Sequence, residues 1–136
     1  MKRSIILAAG LMAGSVALTD DVSDAESLLC STSEIQICFE TGECHAALPW
    51  QIGMPQFVII DTKRKLISTT AASGENRSTP ITTLLREDGR LVLQGFEQGR
   101  AFSAIIEESL GAFSAAIARD GVSVSAFGSC TDSEKL

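Results

Sequence analysis

From Pro55 onward, turn-forming residues recur roughly every ten positions, and this rhythm constrains the fold more than any other feature of the chain. Phe57-Val58-Ile59-Ile60 is apolar and β-branched, Asp61-Thr62-Lys63-Arg64 turns, and Lys65 to Thr70 returns as the second arm of a hairpin. Ala71 to Thr79 is a polar, small-residue loop. Ile81 to Leu85 and Leu91 to Gln94 flank Glu87-Asp88-Gly89-Arg90, and Asp-Gly between apolar runs is a strong hairpin signal because Gly accepts positive φ. Gln98-Gly99 follows. Phe102 to Ile106 alternates, Glu107 to Gly111 turns, Phe113 to Ala118 alternates, and Asp120-Gly121 leads into Val122 to Phe127. Short strands joined by tight turns pair sequentially. The expectation is an all-β chain, a small antiparallel meander of about seven or eight strands that closes as a barrel or folds as a sandwich. We favour the barrel-like form, which hides strand edges.

A helix over Arg100 to Ala118 is the competing reading, since Ala and Glu favour helix. Gly111, the serines and the period-two placement of Phe102, Ala104 and Ile106 favour strands. Ala-Phe-Ser-Ala occurs at Ala101–Ala104 and again at Ala112–Ala115, an offset of one strand plus one turn.

The chain begins with Lys2 and Arg3, then an uncharged run from Ile5 to Leu18. That run is shorter than the ~20 residues a spanning helix needs and suits a secretory signal peptide. Residues 1–17 are therefore expected to be cleaved, with Ser23-Asp24-Ala25 as a second cleavage site. Cys30 follows Ser27-Leu28-Leu29 after an acidic spacer, which argues against lipidation there. Residues 18–33 read as an acidic, flexible lead-in, and 34–136 as a single β domain in which Ile35 to Phe39 is a short strand. Cleavage would leave 9 of the 11 basic side chains against 17 acidic ones, a formal charge of −8. Such a charge disfavours nucleic acid and anionic membranes and suits a basic envelope protein as partner. No membrane insertion is expected after cleavage.

Four cysteines, Cys30, Cys38, Cys44 and Cys130, lie beyond the signal. An even count in a small exported domain reads as two disulfides. We favour Cys38–Cys44 with Cys30–Cys130; the rival pairing is Cys30–Cys38 with Cys44–Cys130.

Candidate chemistry is sparse. His45, the single histidine, adjoins Cys44, and the chain has no Gly-x-Ser-x-Gly elbow. Cys38, Cys44 and His45 lack the paired knuckle spacing of zinc sites. No catalytic residue, metal or cofactor is expected. Trp50, beside Pro49, is expected to plug the core. Lys63-Arg64-Lys65 reads as a solvated hairpin tip, and Asn76-Arg77-Ser78 matches a glycosylation sequon.

The signal, the Cys30…Cys38…Cys44 cluster and the closing Phe127-Gly128-Ser129-Cys130 together resemble small uncharacterised exported proteins of Gram-negative bacteria. A weaker resemblance is to periplasmic C-type lysozyme inhibitors, carried by Ala72-Ser73-Gly74-Glu75-Asn76-Arg77. That family's loop has a tyrosine nearby, and this chain has none. The resemblance implies a partner contact at Ser73, Gly74, Glu75, Asn76 and Arg77. The resulting expectation is a non-enzymatic periplasmic or secreted binding module, or an envelope-associated one. The alternative is an inhibitor of a c-type lysozyme or similar basic cell-wall hydrolase, and a hydrolase stands behind both.

Overall fold

The computed structural model describes residues 20–136. The expected signal segment, 1–17, lies outside them. The described chain forms ten antiparallel strands: β1 (Ser27–Phe39), β2 (Cys44–Ala46), β3 (Phe57–Asp61), β4 (Leu66–Thr69), β5 (Ser78–Pro80), β6 (Thr83–Glu87), β7 (Arg90–Glu97), β8 (Arg100–Glu107), β9 (Ala112–Arg119) and β10 (Val122–Asp132). They make one sheet in the order β5-β4-β3-β1-β10-β9-β8-β7-β6, with β2 beside β1. The fold class is as expected, and the sheet curls into a barrel-like shell. The strand count exceeds seven or eight in part because β2 and β5 are three-residue strands, the latter beginning within the segment read as a polar loop.

Turn chemistry fixes the hairpins of the second half. Asp88-Gly89 and Gln98-Gly99 carry positive φ at both positions (51° and 72°; 49° and 75°). That matches the two-residue turn whose twist suits flanking strands. The run from Arg100 to Ala118 is strand, turn and strand, not helix. Its alternating residues divide between the inside and the outside of the shell.

β1 is the hub of the sheet. One side pairs with β10 from Leu28↔Asp132 to Phe39↔Val122; the other meets β3 along its first half and β2 along its second. A bulge between Thr32 and Glu34 interrupts the β10 ladder. Leu28, Cys30 and Thr32 are buried before it, and Ile35 and Ile37 after it, so the buried parity changes from even to odd.

The flexible lead-in expected over 18–33 is corrected by this arrangement. Ser27 to Ser33 belong to β1, Val22 is 1 % exposed, and Ala25 is buried with it. The Val22 N–H donates to the Glu108 carbonyl at 2.7 Å, and the Thr131 hydroxyl donates to the Asp20 carboxylate. Asp21, Asp24 and Glu26 stand at the surface while Val22, Ala25 and Leu28 enter the core. The β domain therefore begins well before residue 34.

Cys30 and Cys130 are register partners across β1 and β10, and Cys38 and Cys44 are partners across β1 and β2. Each pair forms a disulfide, the favoured connectivity. The two ends of the sheet are joined through the chain itself. β5 runs into β6 across Ile81 and Thr82, whose N–H groups donate to Lys65 and Gln94 carbonyls respectively at 2.9 Å.

The interior holds two packed clusters. The larger gathers Val22, Leu28, Cys30, Ile60, Ile81, Leu91, Leu93, Ile106 and Cys130; the smaller gathers Ile35, Ile37, Val124 and Ala126. Phe113 packs against both.

Candidate binding cavity

The recurring Ala-Phe-Ser-Ala segments of β8 and β9 lie side by side. The register sets Ala104 opposite Ala115, and Ala115 in turn opposite Ala126 of β10. Three small side chains thus follow one another across the inner wall, with Leu93 at one end of the row. The two phenylalanines of the repeat are handled alike. Phe102 faces Gly95 across β7–β8, and Phe113 faces Gly128 across β9–β10. A Cβ added at either glycine would stand 2.5 Å from the facing phenyl ring, closer than side chains approach. Each ring therefore rests over the backbone of its neighbouring strand, and glycine is required beneath it.

A cavity of about 170 Å³ opens against this wall. Ala104, Ala115, Phe102, Phe113, Ile106 and Ile117 form one side; Val58, Ile60 and Ile67 of β3–β4 form the other. Cys30 and Leu93 line it as well, and Thr32, 6 % exposed, is the most buried polar residue in the lining. Large side chains on both walls with alanines between them leave space that neither core cluster fills.

The rim is polar. Met54 and Pro55 approach from the segment after β2, Ser68 and Thr69 from the end of β4, and Arg77 and Thr79 from the entry to β5. The Arg77 guanidinium donates from Nη1 to the Gly53 carbonyl at 3.1 Å, while Nη2 stands 3.9 Å from the Glu97 carboxylate. That carboxylate accepts a 2.5 Å hydrogen bond from the Thr79 hydroxyl. The Arg77 backbone N–H donates to the Thr69 hydroxyl oxygen at 3.1 Å, and the Thr69 hydroxyl donates to the Glu75 carbonyl at 2.9 Å. These bonds tie the 70–77 loop to the end of β4 and hold Arg77 at the rim.

The five residues expected to meet a partner therefore divide. Ser73, Gly74, Glu75 and Asn76 are exposed on the loop, which turns at Gly74 (φ 72°), and the Ser73 hydroxyl donates to the Thr70 carbonyl at 2.6 Å. Arg77 alone of the five lines the cavity. All four cysteines are in disulfides, so no thiol stands beside His45. The His45 ring instead stacks on Phe39, with centroids 5.8 Å apart. Trp50 does not plug the core: it is 73 % exposed, because Pro49 is the residue that the short 3-10 turn Pro49–Ile52 buries.

At the predicted solvated tip, Lys63 pairs with Glu26 at 2.8 Å. Among the described residues no group of three or more His, Cys, Asp or Glu side chains is arranged to hold a metal ion. No helix among them is long and apolar enough to cross a membrane. The two disulfides suit an oxidising compartment.

Sequence reasoning missed the cavity. The Ala-Phe-Ser-Ala recurrence marks small residues of its wall, but their pairing and the glycines that face the two rings belong to the register. No family model, curated protein or solved structure matches the chain.

Proposed function

We propose that this chain is an exported, non-enzymatic binding module, periplasmic or secreted, that holds a small molecule with an apolar body inside the β shell. The observation that carries the reading is the cavity of about 170 Å³ between the alanine row and β3–β4. An engineered cavity of about 150 Å³ lined by Leu, Ile and Phe binds benzene, so the space is large enough for a ring-sized ligand. An apolar interior with a few polar groups gathered at its mouth is the usual form of a small-molecule site.

The test is titration of the oxidised chain with benzene, toluene and indole, followed by NMR and thermal unfolding. Shifts are expected at Ala104, Ala115, Phe102 and Phe113, with a saturable rise in Tm. A ligand at a hundred times its Kd stabilises the fold by about 2.7 kcal/mol. Absence of both responses for every probe would count against the reading.

A second reading, inhibition of a c-type lysozyme or similar basic cell-wall hydrolase, is favoured by the exposed Ser73–Asn76 loop and the excess of acidic side chains. It requires inhibition at stoichiometric concentration of the oxidised protein. A lysozyme that keeps full activity under those conditions dismisses it.

A further inference from the structure

We infer that the ligand is a small carboxylic acid, its apolar body in the cavity and its carboxylate bound by Arg77 at the rim. The inference rests on the cavity reading and adds the chemistry of the ligand's head. Arg77 is the charged residue among those lining the cavity. A guanidinium carries five N–H donors. Among the described residues, the Arg77 side chain makes one hydrogen bond, from Nη1 to the Gly53 carbonyl. Nη2 lies 3.9 Å from Glu97, beyond hydrogen-bond distance, and the Thr79 hydroxyl already occupies the nearer oxygen of that carboxylate. The guanidinium is thus held in place with donors still to satisfy.

A neutral ligand seated at the mouth would take water from those donors without replacing it, and donors left unbonded are costly. A carboxylate would replace the water with two parallel charge-assisted hydrogen bonds, the pairing that suits the planar fork of Arg. An ammonium head would meet the guanidinium as a like charge. The cavity volume sets the body at about six to eight carbon atoms, since a slightly smaller cavity accepts six-carbon benzene. The Glu97 carboxylate, 3.9 Å from Arg77, repels an anion there, so its charge weakens the site that its neighbour provides.

Phenylacetate and its uncharged isostere phenylacetamide are the probes, titrated calorimetrically into the full chain with both disulfides formed. Phenylacetate is expected to bind at least about tenfold more tightly than the amide, the difference a charge-assisted hydrogen bond supports. Arg77→Gln should erase that preference while leaving amide binding in place. Glu97→Gln, which keeps an acceptor for Thr79, should tighten phenylacetate binding and leave the amide unchanged. Ala115→Leu should abolish binding of both. Equal affinities in the parent chain, or a preference that survives Arg77→Gln, would overturn the carboxylate inference and leave the apolar cavity reading intact. No binding of either probe, with benzene and toluene silent as well, would overturn both.

Discussion

Removing each disulfide in turn separates the effect of loop length from that of the bond itself. The Cys30→Ala/Cys130→Ala pair opens a crosslink that spans 100 residues, and Cys38→Ala/Cys44→Ala opens one that spans 6. Restricting the unfolded chain over these lengths contributes about 4.7 and about 2.2 kcal/mol respectively. Both pairs sit directly opposite each other in antiparallel ladders, so the folded geometry is comparable and the unfolded state carries the difference. Burial adds to the gap: Cys30 and Cys130 belong to the larger core cluster, whereas Cys44 is exposed. Each truncated core sulfur forfeits packing worth roughly 1 kcal/mol. The 30–130 variant should therefore lose about 2.5 to 4 kcal/mol more than the 38–44 variant. The total loss of the 30–130 variant, about 4.7 kcal/mol before packing, is comparable with a typical net stability of about 5 to 15 kcal/mol, so part of its chain should be unfolded. Urea unfolding of both variants beside the oxidised parent measures it. The 30–130 variant should also show a raised m-value, because its unfolded state is no longer drawn in. Equal losses, or a larger loss from the 38–44 variant, would refute the loop-length argument.

Other perturbations test separate parts of the fold. Gly95→Ala places a Cβ 2.5 Å from the Phe102 ring and 2.8 Å from the Pro80 carbonyl, and should cost about 2 kcal/mol in urea unfolding. Adding Phe102→Leu should recover part of that loss, and simple additivity of the two changes would show that the ring is not the obstacle. Glu108 is 8 % exposed; Arg86 stands 3.7 Å from its carboxylate and also donates to the Ala25 carbonyl. Arg86→Met leaves that carboxylate without its cation and should destabilise the protein by about 2 kcal/mol, less than the roughly 3 to 5 kcal/mol of a fully buried pair because Arg86 is partly solvated. Wild-type stability in this variant would remove the pair from the account of how Val22 to Ala25 is anchored. Hydrogen bonds from the Ser23 hydroxyl and backbone N–H hold the Asp21 carboxyl below its ordinary value of 3.8. A folded pKa below the unfolded one means that the contribution is complete above pH 3.8 and is lost as pH falls through the folded value. An NMR titration of Asp21 that returns 3.8 or more contradicts this.

Much of the second half was legible because its signals are local. Asp88-Gly89 and Gln98-Gly99 specify turns that set strand pairing within two residues, and the flanking alternation assigns the faces. The first half hid itself for a physical reason. Period two holds from Leu28 to Thr32 and from Ile35 to Phe39, but the bulge at Ser33 offsets the two stretches, so no sustained alternation runs through β1. Trp50 was misplaced because apolarity alone pointed inward, whereas the 3-10 turn buries its neighbour Pro49. The cavity was beyond reach of pattern reading. Alternation tells that Ala104 and Ala115 face inward; it does not tell that they stand opposite each other, nor how far away β3 and β4 lie.

The passage of β5 directly into β6 bears on how other chains can attach. A partner that docks by adding a strand needs a long, flat run of unpaired backbone. Here the sheet begins and ends on strands of three and five residues, contiguous in the chain and turned at the buried Ile81, and the accessory strand β2 is only three residues long. Such short margins give intruding β-segments little to template on, and they give self-assembly into extended fibrils an equally poor start. Contacts with other macromolecules are thereby directed to side chains on the loops and outer faces, where they can be altered without disturbing the ladder that holds the shell together.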